Sequence, residues 1–117
     1  MPRFNKIEQY TTKVNSFNQS GTVEYETTFS LSRQEWKALA NAIEKAIDAE
    51  ATEGDYSESQ ALILDDQEVT VCKDTTYFGE GSPSISIYDG DIMGTYSVNL
   101  TLGAAHDLLA AIQTEIL

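Results

Sequence analysis

The chain contains one cysteine, one histidine and two prolines in 117 residues. A lone cysteine, Cys72, excludes an internal disulfide framework, the usual mark of an oxidising compartment. It falls in a strand-like stretch beside Val71, where a small buried hydrophobe is its expected role. The lone histidine, His106, lies off the apolar stripe of a helix, with no nucleophile readable beside it. Neither residue has partners at metal-ligand spacing, and no zinc, P-loop or dinucleotide motif is present. Asp65, Asp66 and Glu68 could approach a hard cation, but the Gly and terminal Glu of an EF-hand loop are missing. With no constellation of acid, base and nucleophile, the expectation is a protein that is not an enzyme and holds no metal or cofactor. Long apolar runs are also missing: none approaches the roughly 20 residues that cross a bilayer. The N-terminal MPRFNKIEQY lacks the apolar core of a secretory signal. The cytoplasm is therefore the expected site of action.

Positive charge is scarcer still. Seven Lys and Arg face nineteen Asp and Glu, a net charge of −12, beyond the magnitude of about 2 to 8 that suits a small soluble domain. Residues 1–47 carry six bases and five acids; residues 48–117 carry fourteen acids and only Lys73. Such asymmetry between halves points to an electrostatic partner. The stretch DAEATEGDYSESQALILDDQE, from Asp48 to Glu68, has eight carboxylates and no base.

What the chain does have is enough apolar material, 41% hydrophobic and 9% aromatic, to bury one core across a single domain, residues 1–117. The sharpest local signal is Leu31-Ser32-Arg33-Gln34-Glu35-Trp36. Ser32 and Glu35 have the spacing of a capping box, and Leu31 with Trp36 that of a hydrophobic staple. A helix is predicted from Ser32, fading near Thr52, with Trp36, Leu39, Ala40, Ile43, Ala46 and Ile47 on its buried stripe. Upstream, Val23, Tyr25, Thr27, Phe29 and Leu31 alternate as in a half-buried strand. Phe4 to Phe17 supplies a partner strand through an Asn18-Gln19-Ser20-Gly21 turn.

Further strands are predicted at Ala61–Leu64, around Val69 and Val71, at Ile85–Tyr88, and from about Ile92 to Leu100, with Asp89-Gly90 as a tight hairpin signal. Shifted by 69 positions, Val23–Ile47 aligns without gaps on Ile92–Ile116, placing Leu31 on Leu100, Ser32 on Thr101 and Ile43 on Ile112. Strand, hydroxyl cap and helix thus recur, the second helix burying Ala105, Leu108, Leu109, Ile112 and Ile116. The expected fold is α+β in two layers, an antiparallel sheet with two helices on one face, in the order β-β-α-β-β-β-β-α.

The segment FSLSRQEWKALANAI, residues 29–43, resembles the strand-to-helix junction of positive-cofactor and whirly-type single-stranded-DNA binders. That resemblance implies a nucleic-acid-binding sheet. Independently of it, the N-terminal hairpin is the one region with enough positive charge, and offers Tyr10, Tyr25 and Phe29 to stack bases and Lys6 and Lys13 to meet phosphates. The carboxylates of the later strands repel a phosphate backbone, so direct nucleic-acid binding is the second expectation. In size and charge the chain resembles the small acidic inhibitors that phages encode against restriction and CRISPR machinery.

That likeness implies an interaction protein whose carboxylates occupy a basic, nucleic-acid-binding site on a partner protein. The expected contacts are Asp48, Glu50, Glu53, Asp55, Glu58, Asp65, Asp66 and Glu68. Asp74, Glu80, Asp89 and Asp91 come next, with Tyr77 and Phe78 of the loop KDTTYFGEGSPS as apolar anchors. The partner would be a protein and not a membrane, and the chain itself a monomer or a homodimer. A structural or assembly subunit is the third expectation.

Overall fold

In the first helix, α1 (Arg33–Asp48), the Ser32 hydroxyl accepts from the Glu35 amide at 3.2 Å and Glu35 Oε1 accepts from the Ser32 amide at 2.9 Å. The predicted capping box is therefore formed, and Leu31 and Trp36 on either side of it are fully buried. These details come from a computed structural model, which describes residues 5, 6, 9–49, 60–64, 67–75, 77, 78, 82–89 and 96–116. Trp36 also donates its indole N–H to the Tyr10 carbonyl at 2.8 Å, so the first turn of α1 is tied to a strand as well as capped.

The chain order is the expected β-β-α-β-β-β-β-α, with one addition. The predicted first strand is divided into β1 (Asn5–Lys6) and β2 (Tyr10–Phe17), which pair with each other. After β2 come β3 (Val23–Leu31), α1, β4 (Gln60–Leu64), β5 (Gln67–Asp74), β6 (Ser84–Asp89), β7 (Val98–Thr101) and α2 (Leu102–Glu115). The single sheet expected from the sequence is in fact two antiparallel sheets, β1-β2-β3 and β4-β5-β6-β7. Both helices pack on the four-stranded sheet, against Leu64, Val69, Val71, Ile85, Ile87, Val98 and Leu100 in one core. Val14, Phe29 and Leu31 of the smaller sheet join the same core.

The two sheets meet where β2 runs beside β7. No ladder forms there. Instead the Asn99 amide of β7 donates to Ser16 Oγ at 2.9 Å, and the Tyr25 hydroxyl donates to the Ser97 carbonyl at 2.6 Å. Side chains of the β2–β3 hairpin thus take up the backbone groups that an edge strand would otherwise leave unpaired.

Several boundaries differ from the sequence reading. Helix α1 stops at Asp48, four residues short of Thr52, because the C-cap Ala49 turns extended at ψ 144°. The side chain of Lys73 reaches across from β5 to bond the Ala49 carbonyl at 2.9 Å, which satisfies a terminal acceptor and places a cation at the negative end of the helix. The last strand begins at Val98, not near Ile92. Ile87 pairs with Val98 and Ile85 with Leu100; Gly90 of the predicted Asp89-Gly90 turn lies outside the described residues.

The second helix has its predicted hydroxyl cap, Thr101, which accepts from the Ala104 amide at 3.0 Å. With Ala104 where α1 has Glu35, the reciprocal half of the capping box is missing. The buried stripes hold as read, with Ala42 and Ala111 added, while Ile47 and Leu109 pack at the core margin.

The Asn18 turn is built on one side chain. Asn18 Oδ1 accepts from the Ser20 amide at 3.0 Å and the Thr22 amide at 3.2 Å, and Gly21 adopts φ +83°. A Cβ at Gly21 would meet nothing within 4 Å, so Gly21→Ala costs only left-handed backbone strain, about 1 kcal/mol. Ser32→Ala removes half of the capping box and should also cost about 1 kcal/mol. Urea denaturation should show a lowered midpoint at unchanged slope for both.

Candidate functional site

Strand alternation sorts the four-stranded sheet into two faces. Val69, Val71 and Lys73 of β5, and Ile85 and Ile87 of β6, point toward the helices. The opposite face carries cross-strand rows: Ile63 with Glu68, Thr70 with Tyr88, Cys72 with Ser86 and Asn99, and Asp74 with Ser84 and Thr101. No helix covers this face. It contains two carboxylates and, among the described residues of β4 to β7, no cation, because Lys73 has been sent to the other side. Ile63 and Tyr88 are exposed on it, Ile63 at 60%.

One end of this face is hollowed into a cavity of about 530 Å³, within the usual range of about 300 to 1,000 Å³ for small-molecule sites. Cys72, Ser86 and Asn99 form a continuous row along it, Asp74 and Tyr88 flank that row, and Tyr25 and Tyr77 come from outside the sheet. Tyr25 reaches it by ordinary alternation, on the same face of β3 as Thr27, Phe29 and Leu31; just beyond it β3 has a bulge, since Ser16 pairs with Tyr25 but Phe17 with Val23, leaving Glu24 without a partner opposite. The Tyr77 hydroxyl donates to the Phe17 carbonyl at 3.0 Å, pinning the loop after β5 to the end of β2. Ser86 Oγ donates to Asn99 Oδ1 at 2.8 Å.

Electrostatics in the cavity are negative. Burial pushes the Cys72 thiol above its ordinary value of 9.0, the nearby Asp74 charge pushes it further, and a hydrogen bond with Tyr88 opposes both. Tyr77 is raised above 10.0, mainly by burial and then by the charge of Glu24. Cys72 is therefore a protonated, shielded thiol at neutral pH rather than a nucleophile.

The structure redistributes the expected contacts. Asp48 is exposed at the end of α1 and Glu68 is exposed on the helix-free face, so the two lie on different layers. Asp74 and Asp89 are each only 6% exposed and are not surface contacts. Asp74 is enclosed at the cavity wall. Asp89 follows Ile85 and Ile87 toward the helix side, and its Oδ2 accepts from the Tyr96 amide at 3.5 Å across the β6–β7 connection. Tyr77 and Phe78 are half-buried and pack edge-to-face at 4.9 Å, so they brace a loop instead of projecting as anchors. Glu50, Glu53, Asp55, Glu58, Asp65, Asp66, Glu80 and Asp91 lie outside the described residues.

The base-stacking constellation does not assemble either. Phe29 is fully buried, 5.0 Å from the Tyr96 ring and 6.1 Å from Trp36. Lys13 sits on the opposite face of the hairpin from Tyr10 and Tyr25, where it meets Glu26 at 3.6 Å. Lys6 lies in β1.

Sequence reasoning missed the cavity. Cys72, Asp74, Ser86, Tyr88 and Asn99 are spread over 28 positions, and the one available signal was the alternation of β5 and β6. Among the described residues no helix is long and apolar enough to cross a membrane, and no group of three or more His, Cys, Asp or Glu could hold a metal ion. No family model, no curated protein and no solved structure matches the chain.

Native Cys72 holds its proton more tightly than the unfolded thiol. Its contribution to stability is therefore complete below pH 9.0 and lost as pH rises through the folded value. Urea midpoints should fall above that pH, less steeply in Cys72→Ala. Iodoacetamide should label native Cys72 slowly at pH 7, and rapid labelling there would contradict the shielded thiol.

Proposed function

We propose that this chain is a small, non-enzymatic interaction protein whose carboxylate surface occupies a basic site on a partner, most simply the nucleic-acid-binding site of another protein. Carboxylates would stand where phosphates otherwise lie against Lys and Arg, giving electrostatically steered, salt-sensitive association. An inhibitor of the anti-restriction or anti-CRISPR kind, acting in the cytoplasm of an infected host, is the biological form of this reading.

The observation that carries it is the helix-free sheet face. Lys73 is the only base in residues 48–117, and its ammonium is directed to the C-terminus of α1. The face is left with the exposed Glu68 carboxylate, Asp74 enclosed at the cavity wall, and an exposed apolar pair, Ile63 and Tyr88, and no cation among its described residues. Such a mixture of acid and exposed apolar side chains suits a protein partner better than a nucleic acid. In the sequence Asp65 and Asp66 stand between β4 and β5, separated from Glu68 by Gln67 alone.

The experiment is capture of a partner from lysate at low salt, followed by elution with duplex DNA or with added salt. Both should release it. Neutralising Asp65, Asp66 and Glu68 together (D65N, D66N, E68Q) should reduce capture and flatten its salt dependence. The protein itself should not bind oligonucleotides at moderate salt. Salt-independent capture, unaffected by the triple substitution, would refute the reading.

A further inference from the structure

We propose that the cavity on the helix-free face is a binding site for a guanidinium group. Its lining contains the Asp74 carboxylate and the rings of Tyr25, Tyr77 and Tyr88, and no Lys, Arg or His among the described residues. The hydroxyls of Tyr25 and Tyr77 are committed to backbone carbonyls of Ser97 and Phe17. Those bonds fix the two rings as walls and leave their π-systems, not their O–H groups, to a guest. Asn99 Oδ1 already accepts from Ser86, and an amide oxygen has a second lone pair. Glu24, unpaired at the β3 bulge, adds a second negative charge felt at Tyr77.

The cavity therefore offers acceptors, negative charge and aromatic surface, which together call for a flat cationic donor. A guanidinium satisfies all three: it is always charged, it donates through a planar fork to a carboxylate, and it stacks on aromatic rings. Asp74 can take such a bond alongside those it makes within the fold, since a carboxylate has about four lone-pair positions. A compact ammonium fits the charge but not the stacking. At about 530 Å³ the cavity exceeds one guanidinium and holds an extended arginine side chain.

Two sources share this chemistry: a free arginine-like metabolite, or an arginine on a partner protein. In the second case the inference rests on the proposed recognition of a basic partner and names the residue inserted. The cavity argument stands without it.

The test is isothermal titration of the whole protein with N-acetyl-arginine amide, its neutral citrulline counterpart, and a short arginine-bearing peptide. Saturable binding of the arginine compounds and none of citrulline is expected. Asp74→Asn should weaken arginine binding at least about tenfold, as for loss of a charge-assisted bond. Tyr88→Ala, at a side chain 41% exposed and therefore tolerant of truncation, should weaken it about two- to fivefold and carries the test should Asp74→Asn fail to fold. Glu44→Gln, at an exposed position of α1 outside the cavity lining, should leave it unchanged.

Peptide binding tighter than the amide assigns the guest to a protein, and equal binding assigns it to a metabolite; both support the site. Equal affinity for citrulline, equal losses in Glu44→Gln and Asp74→Asn, or no saturation at millimolar arginine would overturn it. Salt-sensitive partner capture by the unsubstituted protein, together with no arginine binding, would sink the cavity and leave the acidic-surface reading intact.

Discussion

Both helices must bury their apolar stripes against the same side of β4-β5-β6-β7, and most of the molecule follows from that requirement. Each helix has one stripe, so each needs one sheet face; a period of two then assigns every strand residue to a side. Val69, Val71, Ile85, Ile87, Val98 and Leu100 enter the core because they share the odd or even position that faces the helices. Their neighbours Thr70, Cys72, Asp74, Ser84, Ser86 and Asn99 are thereby forced outward. The polar, cation-free face is the complement of the core. A slip of one residue in the β5–β6 register would exchange the two sets and bury a row of hydroxyls and a carboxylate without partners.

The second constraint is the edge of β7. A four-residue edge strand has backbone groups that must bond something, and here Ser16 and Tyr25 supply it from the side. That choice joins the two sheets without a continuous ladder. It also brings Tyr25 over the end of β7, so edge satisfaction and cavity formation share one residue. The bulge at Glu24 lies beyond Tyr25, where the regular β2–β3 register ends. Tyr77 performs a parallel task from the opposite side, closing the wall by bonding β2 at Phe17.

Much of the fold was legible in the sequence where the determinants are local. The Ser32–Glu35 box, the Asn18–Gly21 turn, the Thr101 cap and both helical stripes depend on residues within four or five positions of one another. Elements set by distant partners were less legible. Helix α1 ends where a lysine 24 residues downstream bonds Ala49, and β7 takes its start, Val98, with its register against β6. For the candidate site the gap was wider. Counting carboxylates correctly found an acidic half, but charge in sequence does not report burial, and Asp74 and Asp89 turned out to be interior.

By itself, then, the sequence determined the order of elements, the helix caps, the buried stripes and the excess of negative charge, since each is a matter of composition or near-neighbour spacing. Only the tertiary structure decided that there are two sheets, that Lys73 faces away from the acidic strands, and that Cys72, Asp74, Tyr88 and Asn99 meet Tyr25 and Tyr77 around one cavity. The physical reason is that register and edge pairing are settled by long-range packing and backbone hydrogen bonding, and these select among arrangements that local propensity leaves nearly equal.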